Sequence, residues 1–171
     1  MKKSILLTLL CVISFVSAQA QRFALIDMEY ILQEIPAYQE ANNKLSDLSK
    51  QYQAQVEAVS KEAEKLYKDY QKSASGLSAA MKNKKEEAIV AKEKEAAQLR
   101  KDLFGPEGKM AEKEKELINP IQDEIYEAVK QIALDKGYDA VVDRASAQSL
   151  IFASPKIDIS NEVLSMLGLS N

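Results

Sequence analysis

Histidine is absent from this 171-residue chain, and cysteine occurs once, at Cys11. The commonest general base and transition-metal ligand is therefore missing. Carboxylates are what remain for acid–base chemistry. Asp139 and Asp143 stand four residues apart at the two ends of Asp139-Ala140-Val141-Val142-Asp143, where strand alternation puts both on the same side. Such a pair is raw material for an enzyme that uses two carboxylates, but the plainer reading is that each marks a strand end. Asp27, closing Arg22-Phe23-Ala24-Leu25-Ile26-Asp27, has no evident carboxylate partner and suits the cap of a short following helix. No glycine-rich loop followed by Lys-Ser or Lys-Thr is there to cradle nucleotide phosphates. No enzyme activity, cofactor or metal is expected.

The other candidate residues make contacts rather than bonds. Removing Lys2 and Lys3 with a leader takes the 23 Lys and Arg to 21, against 26 Asp and Glu, a net charge of −5. Residues 42–115 hold 16 basic and 13 acidic side chains, a net +3, and the rest of that mature chain holds 5 and 13, a net −8. Met81-Lys82-Asn83-Lys84-Lys85 is the one local basic cluster. An acidic chain without a strong basic patch is a poor candidate for nucleic acid, and most of these charges read as a solvated helical face.

These side chains need elements to hold them. Lys2 and Lys3, the apolar run Ile5 to Val16 and the small residues Ser17-Ala18-Gln19-Ala20 have the form of a signal peptide over residues 1–20, cleaved before Gln21. The run is too short to span a bilayer comfortably, and Cys11 lies inside it with too little of the run upstream for lipid attachment. The mature chain is then cysteine-free, which suits a periplasm.

A hairpin arm is expected over 37–118. Leu45, Leu48, Tyr52, Val56, Val59, Ala63, Leu66 and Tyr70 recur at spacings of three and four, the pattern of a coiled-coil seam. It breaks at Ser73-Ala74-Ser75-Gly76, placing a turn near 73–80, and resumes through Met81, Ala88, Leu99 and Leu103. Legs of roughly 35–40 residues would reach ~50–60 Å. Phe104-Gly105-Pro106-Glu107-Gly108 interrupts the returning leg, with Gly105, Pro106 and Gly108 as a candidate hinge, and Asn119-Pro120 reads as a second bend.

Residues 21–36 and 119–171 make a base. Strands are expected near 22–27, 139–143 and 149–153, Lys136-Gly137 ends a helix, and Ser160 caps the last one. Three short strands cannot cover their own edges or apolar faces. Phe23, Leu25, Ile26, Val141, Val142, Leu150, Ile151 and Phe152 are therefore expected to form an oligomerisation core. The fold class is α+β, mostly α: a long antiparallel helical hairpin on a small β-rich base.

The ordered set of Arg22 to Asp27, a long Lys/Glu/Ala/Gln hairpin, Gly137-Tyr138-Asp139-Ala140-Val141-Val142-Asp143 and Asp158-Ile159-Ser160-Asn161-Glu162-Val163-Leu164 resembles the Skp (OmpH-like) family of periplasmic chaperones. The resemblance implies a homotrimer whose coiled-coil tentacles enclose a cavity. There the family holds unfolded outer-membrane β-barrel proteins without ATP. In that reading Tyr52, Tyr67, Tyr70, Leu77 and Met81 are the arm residues best suited to touch a client, although aromatic and Met side chains at helical spacing also serve hairpin packing. Lys82, Lys84 and Lys85 suit acidic clients or weak contact with an anionic membrane surface. Well-studied members are strongly basic, whereas this mature chain is acidic, so no lipopolysaccharide site is carried over. An exported scaffold or adaptor for one folded envelope partner is the alternative.

Overall fold

The computed structural model describes residues 22–169, Gln148 excepted. The leader over 1–20 and its cleavage before Gln21 lie outside the described residues. Contacts divide the chain into two units, one drawn from both ends (up to Ile31 and from Glu127) and one running Leu32–Tyr126.

In the end unit, strand β1 (Phe23–Ile26) pairs in parallel with β2 (Ala140–Asp143), in the register Phe23↔Ala140 through Ile26↔Asp143. A parallel pair needs a long crossover, and here the whole middle of the chain supplies it. On its other side β1 is met by a bridge from Leu25 to Asp158, with the Ile159 N–H donating to the Leu25 carbonyl at 2.8 Å. Ala24, Leu25 and Ile26 are buried, as four consecutive apolar residues in a strand covered on both faces should be.

The third strand expected at 149–153 does not form. Only β1 and β2 make a sheet among the described residues, and the place beside β1 is taken by 158–159. Residues 150–154 run without a ladder partner into a 3₁₀ turn at Pro155–Ile157. An apolar run bounded by turn residues looks the same in sequence whether it is sandwiched or bare. Here Ile151 is 100% exposed and Phe152 82%.

Helix α1 (Met28–Glu34) starts where Asp27 places it, the Tyr30 N–H donating to Asp27 Oδ1 at 2.9 Å. The C-terminal helix, α5 (Ser160–Met166), differs from expectation at its start. Ile159 holds the cap position without a side-chain bond. The Ser160 hydroxyl instead accepts the Asp27 N–H at 2.8 Å and donates to Asp158 at 2.6 Å, joining two chain segments rather than capping its own helix. Ile31, Ile132, Ile159, Val163 and Leu164 complete this unit's core.

In the middle unit, α2 (Pro36–Ser73) begins with proline at its first turn, where no N–H is needed. A 3₁₀ turn at Ala74–Gly76 reverses the chain, and α3 (Ala79–Phe104) starts at Ser78, whose hydroxyl accepts the Met81 N–H at 3.4 Å. The final long helix, α4 (Lys109–Lys136), runs on into the end unit. It is continuous through Pro120, so the helix is not interrupted at Asn119-Pro120. A proline there removes one backbone bond and crowds the preceding turn. The buried stripe Ile121, Ile125, Ala128 and Ile132 is long enough to hold the helix together across that loss. Gly137 then closes α4 with φ +67°, and the Tyr138 N–H returns to the Ala133 carbonyl at 2.9 Å.

Candidate binding surfaces

Three cross-links fix one antiparallel register between α2 and α3. The rings of Tyr52 and Phe104 meet edge to face at 6.1 Å, Lys92 reaches Glu62 at 3.1 Å, and the Tyr70 hydroxyl donates to Glu86. That bond raises the Tyr70 pKa, since the neighbouring carboxylate disfavours a phenolate. Leu45, Val56 and Ala63 are buried along α2, as their spacing predicts, and Leu103 is 2% exposed on α3.

The returning leg keeps Leu99 and Leu103 of the trace Met81, Ala88, Leu99, Leu103 and departs from it at Met81 and Ala88. Its screened side chains are Lys82, Lys85, Ile89, Lys92, Ala96, Leu99 and Leu103, alternately three and four apart. Met81 and Ala88 face solvent. Long lysine stems cover apolar surface while their ammonium groups stay wet, so a trace confined to apolar letters passes over them.

Where both helices carry small residues, a trough opens between them. One stretch of about 530 Å³ is lined by Val56, Ala63, Tyr67, Ala96, Ala97 and Arg100. A second, of about 440 Å³, shares Val56, Ser60 and Arg100 and ends on Phe104. Of the candidate contact residues, Tyr67 alone lines this trough, and it is 48% exposed. Tyr52 and Tyr70 are half-buried and engaged across the hairpin, while Leu77 sits in the turn. Met81 and Lys84 are exposed, and Lys82 and Lys85 are partly screened. Ala96, Ala97 and Arg100 were missed by sequence reasoning; continuing the α3 seam through its lysines would have reached Ala96, beside which the other two lie.

The Phe104-to-Gly108 break is a closed turn. Gly105 N–H donates to the Lys101 carbonyl at 2.8 Å, and Gly108 N–H to the Gly105 carbonyl at 2.9 Å. A Cβ on Gly105 would lie 2.4 Å from the Lys101 oxygen, and one on Gly108 2.9 Å from the Asp102 oxygen. Close backbone approach, rather than positive φ, is what requires glycine here.

In the end unit, Arg144 gathers three segments. Its guanidinium donates to Asp27 Oδ2 through Nε at 3.0 Å and Nη2 at 2.8 Å, and Nη1 lies 3.4 Å from Asp158 Oδ2. The Tyr30 N–H and then the Arg144 bonds hold the Asp27 carboxyl below its ordinary value. Asp139 and Asp143 are likewise taken up by backbone: Asp139 accepts from Arg22 N–H at 2.8 Å, and Asp143 from Met28 and Ala145 N–H, both at 3.1 Å. Carboxylates used this way are ends and caps. Among the described residues, no group of three or more metal-ligating side chains is found, and no helix is long and apolar enough to cross a membrane.

The eight residues expected in an oligomerisation core divide in two. Leu25 and Ile26 lie within the unit's own core, while Val141 is half-buried. Phe23, Val142, Leu150, Ile151 and Phe152 are exposed. Leu150, Ile151 and Phe152 rim a shallow depression of about 390 Å³ that also touches Asp27 and Arg144.

The family profile described as outer membrane protein (OmpH-like) matches residues 22–167, almost everything the structure describes. The chain belongs to the OmpH-like family. Among the relatives of this OmpH-like chain, a protein named chaperone protein Skp from Yersinia enterocolitica is 25% identical over 148 residues, covering 86% of this chain and 87% of its own. A second protein of that name, from Pectobacterium atrosepticum, is 23% identical, with 85% and 84% covered. The fold is shared with the crystal structure of an OmpH-like outer membrane chaperone from Caulobacter crescentus, at a TM-score of 0.65 and 11% identity, over 88% and 86% of the two chains.

Proposed function

We propose that this OmpH-like chain is an exported, ATP-independent holdase, working in the periplasm, that keeps unfolded outer-membrane β-barrel proteins from aggregating. Its relatedness to proteins named as chaperones, over more than four-fifths of each chain, carries the reading. The open trough on the hairpin supports it. Unfolded barrel segments expose apolar strands and unpaired edges, and a surface offering Tyr67 and Arg100 makes weak contacts that need no particular sequence. In this reading Tyr52, Tyr67, Tyr70, Leu77 and Met81 meet the client, and Lys82, Lys84 and Lys85 add attraction to acidic clients or anionic membrane surfaces. Copies associate as a homotrimer through Phe23, Val142, Leu150, Ile151 and Phe152. Their arms bound the space that holds the client, and Gly105, Pro106 and Gly108 let each arm adjust.

The test dilutes several unrelated denatured barrel proteins into buffer with and without the mature chain and follows light scattering. Suppression of scattering for all of them is expected. Unchanged scattering, or binding limited to one folded partner, would refute the holdase and favour the scaffold or adaptor. Sedimentation of the doubly substituted Ile151→Ser, Phe152→Ser chain checks the assembly: it should dissociate at concentrations where the unsubstituted chain remains associated. A monomeric unsubstituted chain would sink the shared-cavity part of the proposal.

A further inference from the structure

The two halves of the hairpin are held by different forces. In the half that includes Tyr52 and Phe104, the screened positions of α3 are Ala96, Leu99 and Leu103, facing an α2 seam with Val56 buried. In the half next to the turn, the screened positions are Lys82, Lys85, Ile89 and Lys92. Leu66, Tyr67, Met81 and Val90 are exposed there, leaving Ala63 and Ile89 as the buried apolar side chains. The cross-helix bonds in this half are polar, Lys92 with Glu62 at 3.1 Å and Tyr70 with Glu86. Lys92 also holds Glu95 of its own helix at 2.8 Å, and its side chain is 26% exposed, well below the exposure of the other paired lysines on the arm.

We propose that Lys92 is a salt-sensitive latch holding closed the turn-side half of the arm, which opens independently of the other half. Apolar burial is unaffected or slightly strengthened by added salt, whereas ion pairs weaken as the screening length shortens. A polar residue in a helical seam also fixes register at some loss of stability, so this half is both aligned and easily opened. Opening uncovers Ile89 and Ala63 beside the already exposed Leu66 and Tyr67, which enlarges the apolar surface available to a client. That consequence rests on the holdase reading; the latch itself does not, and it is tested without any client.

The experiment is amide hydrogen exchange on the full mature chain at about 0.02 M and 0.5 M NaCl, with protection corrected for the intrinsic rate at each concentration. Partly screened pairs contribute on the order of a factor of two to five. Amides in 62–73 and 79–92 should therefore lose that much protection at high salt, while those in 96–103 change little. Exposed pairs within one helix, such as Glu57–Lys61 and Glu64–Lys68, occur in both halves and set the background. Lys92→Met keeps the stem and removes the charge. It should abolish the extra salt response and leave the turn-side half at least as protected as in the unsubstituted chain at high salt. Glu62→Gln, which leaves the Lys92–Glu95 pair intact, should lower the response too. Equal salt responses in the two halves, or a response that survives in both variants, would overturn the latch.

Discussion

Removing either partner of the Arg144–Asp27 pair should destabilise the end unit by more than an ordinary surface ion pair does. Exposed pairs are worth about 0–1 kcal/mol, while breaking a fully buried pair costs about 3–5 kcal/mol. Arg144 keeps half its side chain in water, but Asp27 keeps only 19% of its own, and two guanidinium bonds converge on one oxygen. A single substitution is therefore placed at about 1–2 kcal/mol, with a coupling in the double variant of about 1 kcal/mol. Arg144→Met leaves the stem in place. Asp27→Asn keeps an oxygen for the Tyr30 N–H, because asparagine caps helices as well as aspartate does, and so it isolates the charge. The Asp27 carboxyl is depressed below its ordinary value. Its contribution is thus complete above the usual carboxylate range and is lost as pH falls below that range. Urea unfolding followed by circular dichroism, at fixed protein concentration from pH 3 to 7, measures both quantities. The unsubstituted chain should lose stability more steeply below pH 4 than Asp27→Asn. Parallel pH profiles, or a coupling under about 0.3 kcal/mol, would refute the role given to Arg144.

Leu103→Ala should destabilise the hairpin by about 2–4 kcal/mol, because the side chain is almost fully enclosed and its removal leaves a cavity beside the Tyr52–Phe104 contact. Exchange protection in residues 45–59 and 96–104 should fall together. Gly105→Ala should destabilise as well, since its methyl group would collide with the Lys101 carbonyl oxygen at the end of α3. A loss of helicity near 101–108 on circular dichroism and exchange is expected, and unchanged protection there would show that the turn relaxes freely. Bending at this joint is accordingly better read from label-to-label distances in the unsubstituted chain than from glycine replacement.

The helical framework was legible because its signals are local. The seam Leu45, Val56, Ala63 announces itself by spacing, Pro36 sits at a helix start, and Gly137 sits where a left-handed residue is needed. Features resting on partners distant in sequence were less legible. Arg144 carries no local pattern that points to Asp27, 117 residues away. Ser160 looks like a cap until the Asp27 N–H arrives from the other end of the chain. The run Leu150-Ile151-Phe152 has strand-like letters, but whether it pairs depends on who occupies the position beside β1, and Asp158 is already there. Leu99 and Leu103 of the α3 seam were legible, but its turn-side part was missed for a chemical reason, lysine stems serving where apolar letters were sought.

The pairing of β1 with β2 has a consequence for the order of events in the life of the molecule. Phe23 to Ile26 are made early, yet their partners at Ala140 to Asp143 come more than a hundred residues later. Closing so large a loop of loose chain is slow. A hairpin that zips from its own turn reels in much of that slack beforehand. The fingers would thus be finished while the palm still waits for its last strand, and truncation near the carboxyl end should leave helical product whose first strand never finds its mate.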